Sequence, residues 1–180
     1  MIRVSPFRWA IASTLIVASA SAQSMHFDSG WWMSINTYEQ EGFIWGYLDS
    51  PCAPPISSPT SEVQRFLDGY LPDHPKVTIP TALQVAGHQM KPWKSLPGGE
   101  VWTDAHGFMD GGWWGDTTHG DQAEQLGYVE GYLACKHQPV DAPTVHSYAA
   151  AIDKYYDSPK HEHTKIAYVI EPLIAKREVH

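Results

Sequence analysis

The chain contains the same succession of blocks twice. Asp28-Ser29-Gly30-Trp31-Trp32 returns as Asp110-Gly111-Gly112-Trp113-Trp114, 82 positions on (28 to 110). Glu39-Gln40-Glu41-Gly42-Phe43-Ile44-Trp45-Gly46-Tyr47-Leu48 returns as Glu124-Gln125-Leu126-Gly127-Tyr128-Val129-Glu130-Gly131-Tyr132-Leu133, and Leu67-Asp68-Gly69-Tyr70 returns as Ile152-Asp153-Lys154-Tyr155, both 85 positions on (39 to 124, 67 to 152). Self-similarity in a fixed order constrains architecture more than any local propensity. It predicts an all-α fold of two tandem three-helix repeats, packed with pseudo-two-fold symmetry around a shared core. The organisation expected is a leader at 1–22, repeat one at 23–90, a linker at 91–100 rich in Pro and Gly, and repeat two at 101–180.

Residues 1–22 read as a secretory leader. Arg3 and Arg8 precede the apolar run 9–18, and Ala20-Ser21-Ala22 is a small-residue cleavage site. Cleavage is expected after Ala22, with Ala20 the alternative. No stretch approaches the ~20 apolar residues of a spanning helix, so the processed chain is expected in the periplasm or outside the cell, off the membrane. The formal charge of −8 falls to −10 once the two leader arginines are gone, because no acidic residue precedes residue 23. Such a field repels nucleic acid and anionic lipid and suits a protein partner or a neutral polymer. The ten His residues offset part of that charge below about pH 6.

The two cysteines, Cys52 and Cys135, each follow a repeated Gly-Tyr-Leu. An even count in an oxidising compartment, at near-equivalent places, predicts a disulfide between the repeats, two buried thiols being the alternative. Closing a loop of that length contributes roughly 4–5 kcal/mol in the chain-entropy model.

Apolar residues at three-, four- and seven-residue spacings predict first helices at 37–49 and 122–136, with N-caps in the polar stretches before them. Pro-rich loops end both. Second helices are expected to begin at Thr60-Ser61 and at Thr144. Third helices are expected at 80–86, stopped by Gly87, and at 163–171, before Pro172. The first helices carry glycines four apart, Gly42/Gly46 and Gly127/Gly131. Each costs about 1 kcal/mol against Ala inside a helix. An offsetting gain is expected from close approach of two backbones, so the two first helices are predicted to cross on these glycines.

Trp31, Trp32, Trp113 and Trp114 are the leading binding candidates, since aromatic rings bind sugar faces and anchor interfaces. One Trp of each pair is expected to plug the core. Asp49 and Asp141, in the acidic Pro-rich loops 49–59 and 138–143, are the other binding candidates. His161-x-His163 and Asp104-x-His106 lack a third ligand at motif spacing, so no metal or cofactor is expected. Repeated Glu39/Glu124 and Asp68/Asp153 are the best carboxylate pairs for a hydrolase, but the charge at a helix start also explains Glu39 and Glu124. No catalytic residue is assigned.

Phe43-Ile44-Trp45-Gly46-Tyr47-Leu48, Cys52, Val63-Gln64-Arg65-Phe66-Leu67-Asp68-Gly69-Tyr70-Leu71, Asp73-His74-Pro75 and Ala82-Leu83-Gln84-Val85 together resemble the Tai-type immunity proteins. Those are small secreted helical proteins that neutralise peptidoglycan amidase effectors of type VI secretion systems. Repeat two is similar through Tyr128-Val129-Glu130-Gly131, Cys135, Tyr155-Tyr156 and Pro159. The family's second Cys, after the third helix, is replaced here by Gly87-His88-Gln89. The Trp-Trp lead-in resembles that of uncharacterised secreted bacterial helical proteins. The resemblance implies a non-enzymatic module that binds a cell-wall hydrolase, here as a monomer that imitates a dimer within one chain. The alternatives are a Trp-based carbohydrate or cell-wall binding module and a small carboxylate-dependent hydrolase.

Overall fold

The computed structural model describes residues 27–90, 109–115, 121–138 and 140–178. The expected leader, the linker 91–100 and Asp104-x-His106 lie outside them. The described chain is mostly helical, and its one β pairing is the isolated Asp110–Lys165 bridge. The elements are α1 (Ser29–Ser34), α2 (Thr37–Asp49), α3 (Thr60–Tyr70), α4 (Ile79–Gln89), α5 (Gly111–Gly115), α6 (Asp121–Cys135), α7 (Ala142–Tyr156), a 3₁₀ turn at Pro159–His161 and α8 (Ile166–Glu178).

The centre of the molecule is the contact of α2 with α6. A Cβ on Gly42 would fall on the Glu124 carbonyl, and one on Gly127 would fall on the Glu39 carbonyl. Gly46 meets the Tyr128 carbonyl in the same way, and Gly131 that of Phe43. Higher-numbered positions on one helix meet higher-numbered positions on the other, so the helices run parallel. The contacts are reciprocal at the 85-residue offset seen in the sequence. The expected crossing is therefore present, and its partners are main-chain atoms.

Contacts outside the crossing also recur. Trp32 Nε1 donates to Asp68 at 2.8 Å, and Trp114 Nε1 to Asp153 at 2.6 Å. The Gln40 amide donates to the Trp32 carbonyl, the Gln125 amide to that of Trp114. The first amide of α4, Ile79, donates to Phe27 O at 2.7 Å, and that of α8, Ile166, to Met109 O at 2.9 Å. One apolar cluster draws on both halves, including Phe43, Tyr47, Leu67 and Leu83 with Tyr128, Tyr132, Leu133, Ile152 and Ile170. Cys52, exposed in the loop after α2, stands at disulfide distance from Cys135, the buried last residue of α6, with Cα atoms 5.9 Å apart.

Several boundaries differ from those read in the sequence. The Trp-Trp segments are short helices, α1 and α5, capped by Asp28 and Asp110, whose side chains accept from Trp31 N at 2.9 Å and Trp113 N at 3.2 Å. The second helix of the latter half begins at Ala142 under an Asp141 cap, which accepts from Thr144 N at 2.7 Å, so Thr144 lies inside it. α4 does not stop at Gly87. A Cβ there would press on the ring of Pro54, so the glycine serves the approach of the Pro-rich loop. α8 begins at Ile166 and runs through Pro172. The carbonyl deprived of its bond is that of Tyr168, a residue 70% exposed.

The glycine contact has a direct test. Gly46→Ala forces the Tyr128 backbone away and is expected to cost about 3 kcal/mol or more, since no flexible side chain can yield. Gly69→Ala, in α3 with nothing within 4 Å of the added methyl, is expected to stabilise by about 0.5–1 kcal/mol. Urea unfolding of both variants reads the contrast.

Candidate functional site

Each Trp pair divides. Trp32 and Trp114 are buried, with their indole N–H groups committed to Asp68 and Asp153. Trp31 and Trp113 are half-buried. Trp31 packs on Phe27 and Phe43, while Trp113 packs on Trp45, Trp114 and Tyr128. The repeated carboxylates Asp68 and Asp153 are thereby indole acceptors, one per half.

The two loop aspartates are also engaged. Asp141 caps α7, and hydrogen bonds from Thr144 hold its carboxyl below the usual range. Asp49, the last residue of α2, accepts the Tyr128 hydroxyl of α6, linking the halves at the far end of the crossing. Burial, followed by the Asp49 charge and hydrogen bond, pushes the Tyr128 phenol well up. Tyr132 stacks on Tyr128 and donates to Glu171 at 2.7 Å, and Lys136 reaches the same carboxylate at 2.6 Å. Burial raises Glu171, but the bonds from Lys136 and Tyr132 outweigh it and hold the group low.

The histidines of His161-x-His163 separate. His161 stacks on Tyr155 and its Nδ1 lies 2.7 Å from Tyr155 O, whereas His163 is open to solvent beside Asp110. His74 repeats the first arrangement on Tyr70, with Nδ1 2.8 Å from Tyr70 O. Among the described residues no three His, Cys, Asp or Glu side chains are placed to hold a metal ion.

The feature that sequence reasoning passed over is Glu130. It is 3% exposed, and its Oε2 is buried without a hydrogen-bond partner. Burial first, then the charge of Glu39 on α2, push its carboxyl up to about 8. Glu39 and Glu41 are raised as well, both by burial. The raised carboxylate that faces Glu39 is thus Glu130. The signal was present in the repeat itself: the 85-residue offset places Glu130 where repeat one has Trp45, which donates to Thr60 and packs on Trp113. A carboxyl in place of an indole at a packed crossing is the kind of local conflict that marks a site.

Three large apolar side chains are exposed among the described residues: Met33 at 66%, Tyr38 at 53% and Tyr168 at 70%. Met33 and Tyr38 flank the turn between α1 and α2, directly after the first Trp pair. No helix of the described chain is long and apolar enough to cross a membrane. No family model, curated protein or solved structure matches the chain.

The folded chain holds the Glu130 proton more tightly than the unfolded chain does. Stability therefore falls as pH rises from the ordinary value of 4.5 to about 8, and levels off above it. The loss is on the order of 3–5 kcal/mol, and Glu39 and Glu41 add to it with the same sign. The melting temperature is expected to drop by on the order of 10 °C between pH 5 and 8.5. Glu130→Gln is expected to remove most of that slope; parallel slopes in the two proteins would clear Glu130 of the effect.

Proposed function

We propose that the protein is a secreted, non-enzymatic protein-binding module that engages its partner through the α1–α2 corner. The observation that carries this reading is the exposure of Met33 and Tyr38 beside the half-buried Trp31. Met and Tyr are the residue types that interfaces concentrate, and exposed apolar groups on a rigid frame bind with little backbone ordering cost. The frame here is the glycine crossing with the Cys52–Cys135 pair at its end. Glu39 and Glu41, on the first turns of α2 beside Tyr38, give the corner an acidic flank that suits a basic partner surface. The resemblance to amidase immunity proteins makes a cell-wall hydrolase the partner, with inhibition as the outcome.

The test uses the processed, oxidised protein as bait in a periplasmic extract, followed by hydrolase assays on what is retained. A stoichiometric hydrolase that loses activity on binding is expected. Met33→Glu with Tyr38→Glu is expected to weaken retention about a hundredfold, while Tyr168→Glu, on α8, leaves it unchanged. Retention on insoluble peptidoglycan without any protein partner would transfer the function to carbohydrate binding. Turnover of peptidoglycan by the protein alone, abolished by Glu130→Gln, would establish a carboxylate-dependent hydrolase instead.

A further inference from the structure

The two halves differ in the residues that line the space between their second and third helices. In the latter half a groove of about 460 Å³ runs between α7 and α8. That is within the ~300–1,000 Å³ of small-molecule sites. Its origin is visible in the repeat. Matching Asp153 to Asp68 places Ala151 where the first half has Phe66, whose ring stacks on Tyr70. The first half carries an aromatic ring at this position, and in the latter half Ala151 lines the groove together with Leu173.

The rim differs in charge as well. Matching Ile166 to Ile79, the two residues that donate to the segments before the Trp pairs, places Lys176 and Arg177 where the first half has Gln89 and Met90. Cations in the last turn of a helix are favoured by its dipole wherever they occur. Arg177 does more, donating to the Thr144 hydroxyl of α7 at 3.1 Å and so bridging the two walls. The one carboxylate of the lining, Asp141, caps α7 and also feels the Arg177 charge, which leaves the rim with two cations against one anion. On a chain of formal charge −8, this groove therefore joins an apolar floor to a cationic rim, with the Thr144 and Ser147 hydroxyls between them.

We propose that the α7–α8 groove binds a small apolar monocarboxylate, its tail in the space that Ala151 leaves and its carboxylate on Lys176 and Arg177. A guanidinium fork pairs with a carboxylate through two parallel hydrogen bonds, and Lys176 adds a second charge to the same group. The tail covers the apolar floor.

The experiment is an amide NMR titration of the processed, oxidised protein with sodium octanoate, with 1-octanol as the uncharged control. Saturable shifts confined to α7 and α8, and at least about tenfold weaker binding of 1-octanol, are expected. Lys176→Ala with Arg177→Ala is expected to weaken octanoate by about tenfold or more. Ala151→Phe is expected to abolish binding while the rest of the spectrum stays in place, since Phe is tolerated at the matching position of the first half. Shifts that do not saturate by about 10 mM, which is weaker than about 3 kcal/mol of binding, would overturn the proposal. Equal binding of octanoate and 1-octanol, or a well-folded Ala151→Phe protein that binds as before, would overturn it as well.

Discussion

Two backbones in contact set the terms for everything else in this molecule. At Gly42, Gly46, Gly127 and Gly131 the surface of each helix is the main chain itself, and it lies on main-chain carbonyls of its partner. Dispersion between close-packed atoms falls off steeply with distance, so a flat seam of this kind gains only if it is closed along its length. It also removes tolerance. Side chains in a core can change rotamer to admit a methyl group, but a carbonyl inside a helix cannot move without moving the helix. The four glycines sacrifice helix propensity, and the offsetting gain exists only when both halves are present.

From that seam outward, each half is built by the same few bonds. An aspartate caps the Trp-Trp turn, a second aspartate accepts the buried indole, and a glutamine amide from the central helix donates to the carbonyl of the second Trp. These bonds fix the short helices α1 and α5 against the core although each is far too short to be stable alone. The exposed corner at Met33 and Tyr38 inherits its rigidity from them.

Much of this was legible in the chain before any coordinate. The bounds of α2, the glycine seam, the proximity of Cys52 to Cys135 and the burial of one Trp per pair were all expected from repetition and periodicity together with an expected oxidising compartment. What was not legible has a common cause. Gly87 and Pro172 are helix breakers by propensity, but Pro54 packs on one and the other sits in a helix that continues past it, so tertiary context prevailed. Asp68 and Asp153 read as a carboxylate pair because a sequence does not show that each has an indole N–H within reach. Glu130 was one acid among many until its burial was known, and the comparison with Trp45 shows what it replaces.

That comparison reaches further. Two identical chains meeting on such a seam would have to repeat every substitution, so a Glu at this position would place two poorly solvated acids in one crossing. Carrying both helices on a single chain lifts the obligation. One helix keeps an indole that packs and donates, and the other accepts a carboxyl that burial disfavours, so the energetic penalty is incurred once. Covalent continuity thus gives this fold a freedom that strict self-association denies: its two sides are at liberty to become chemically unlike while their backbones remain matched.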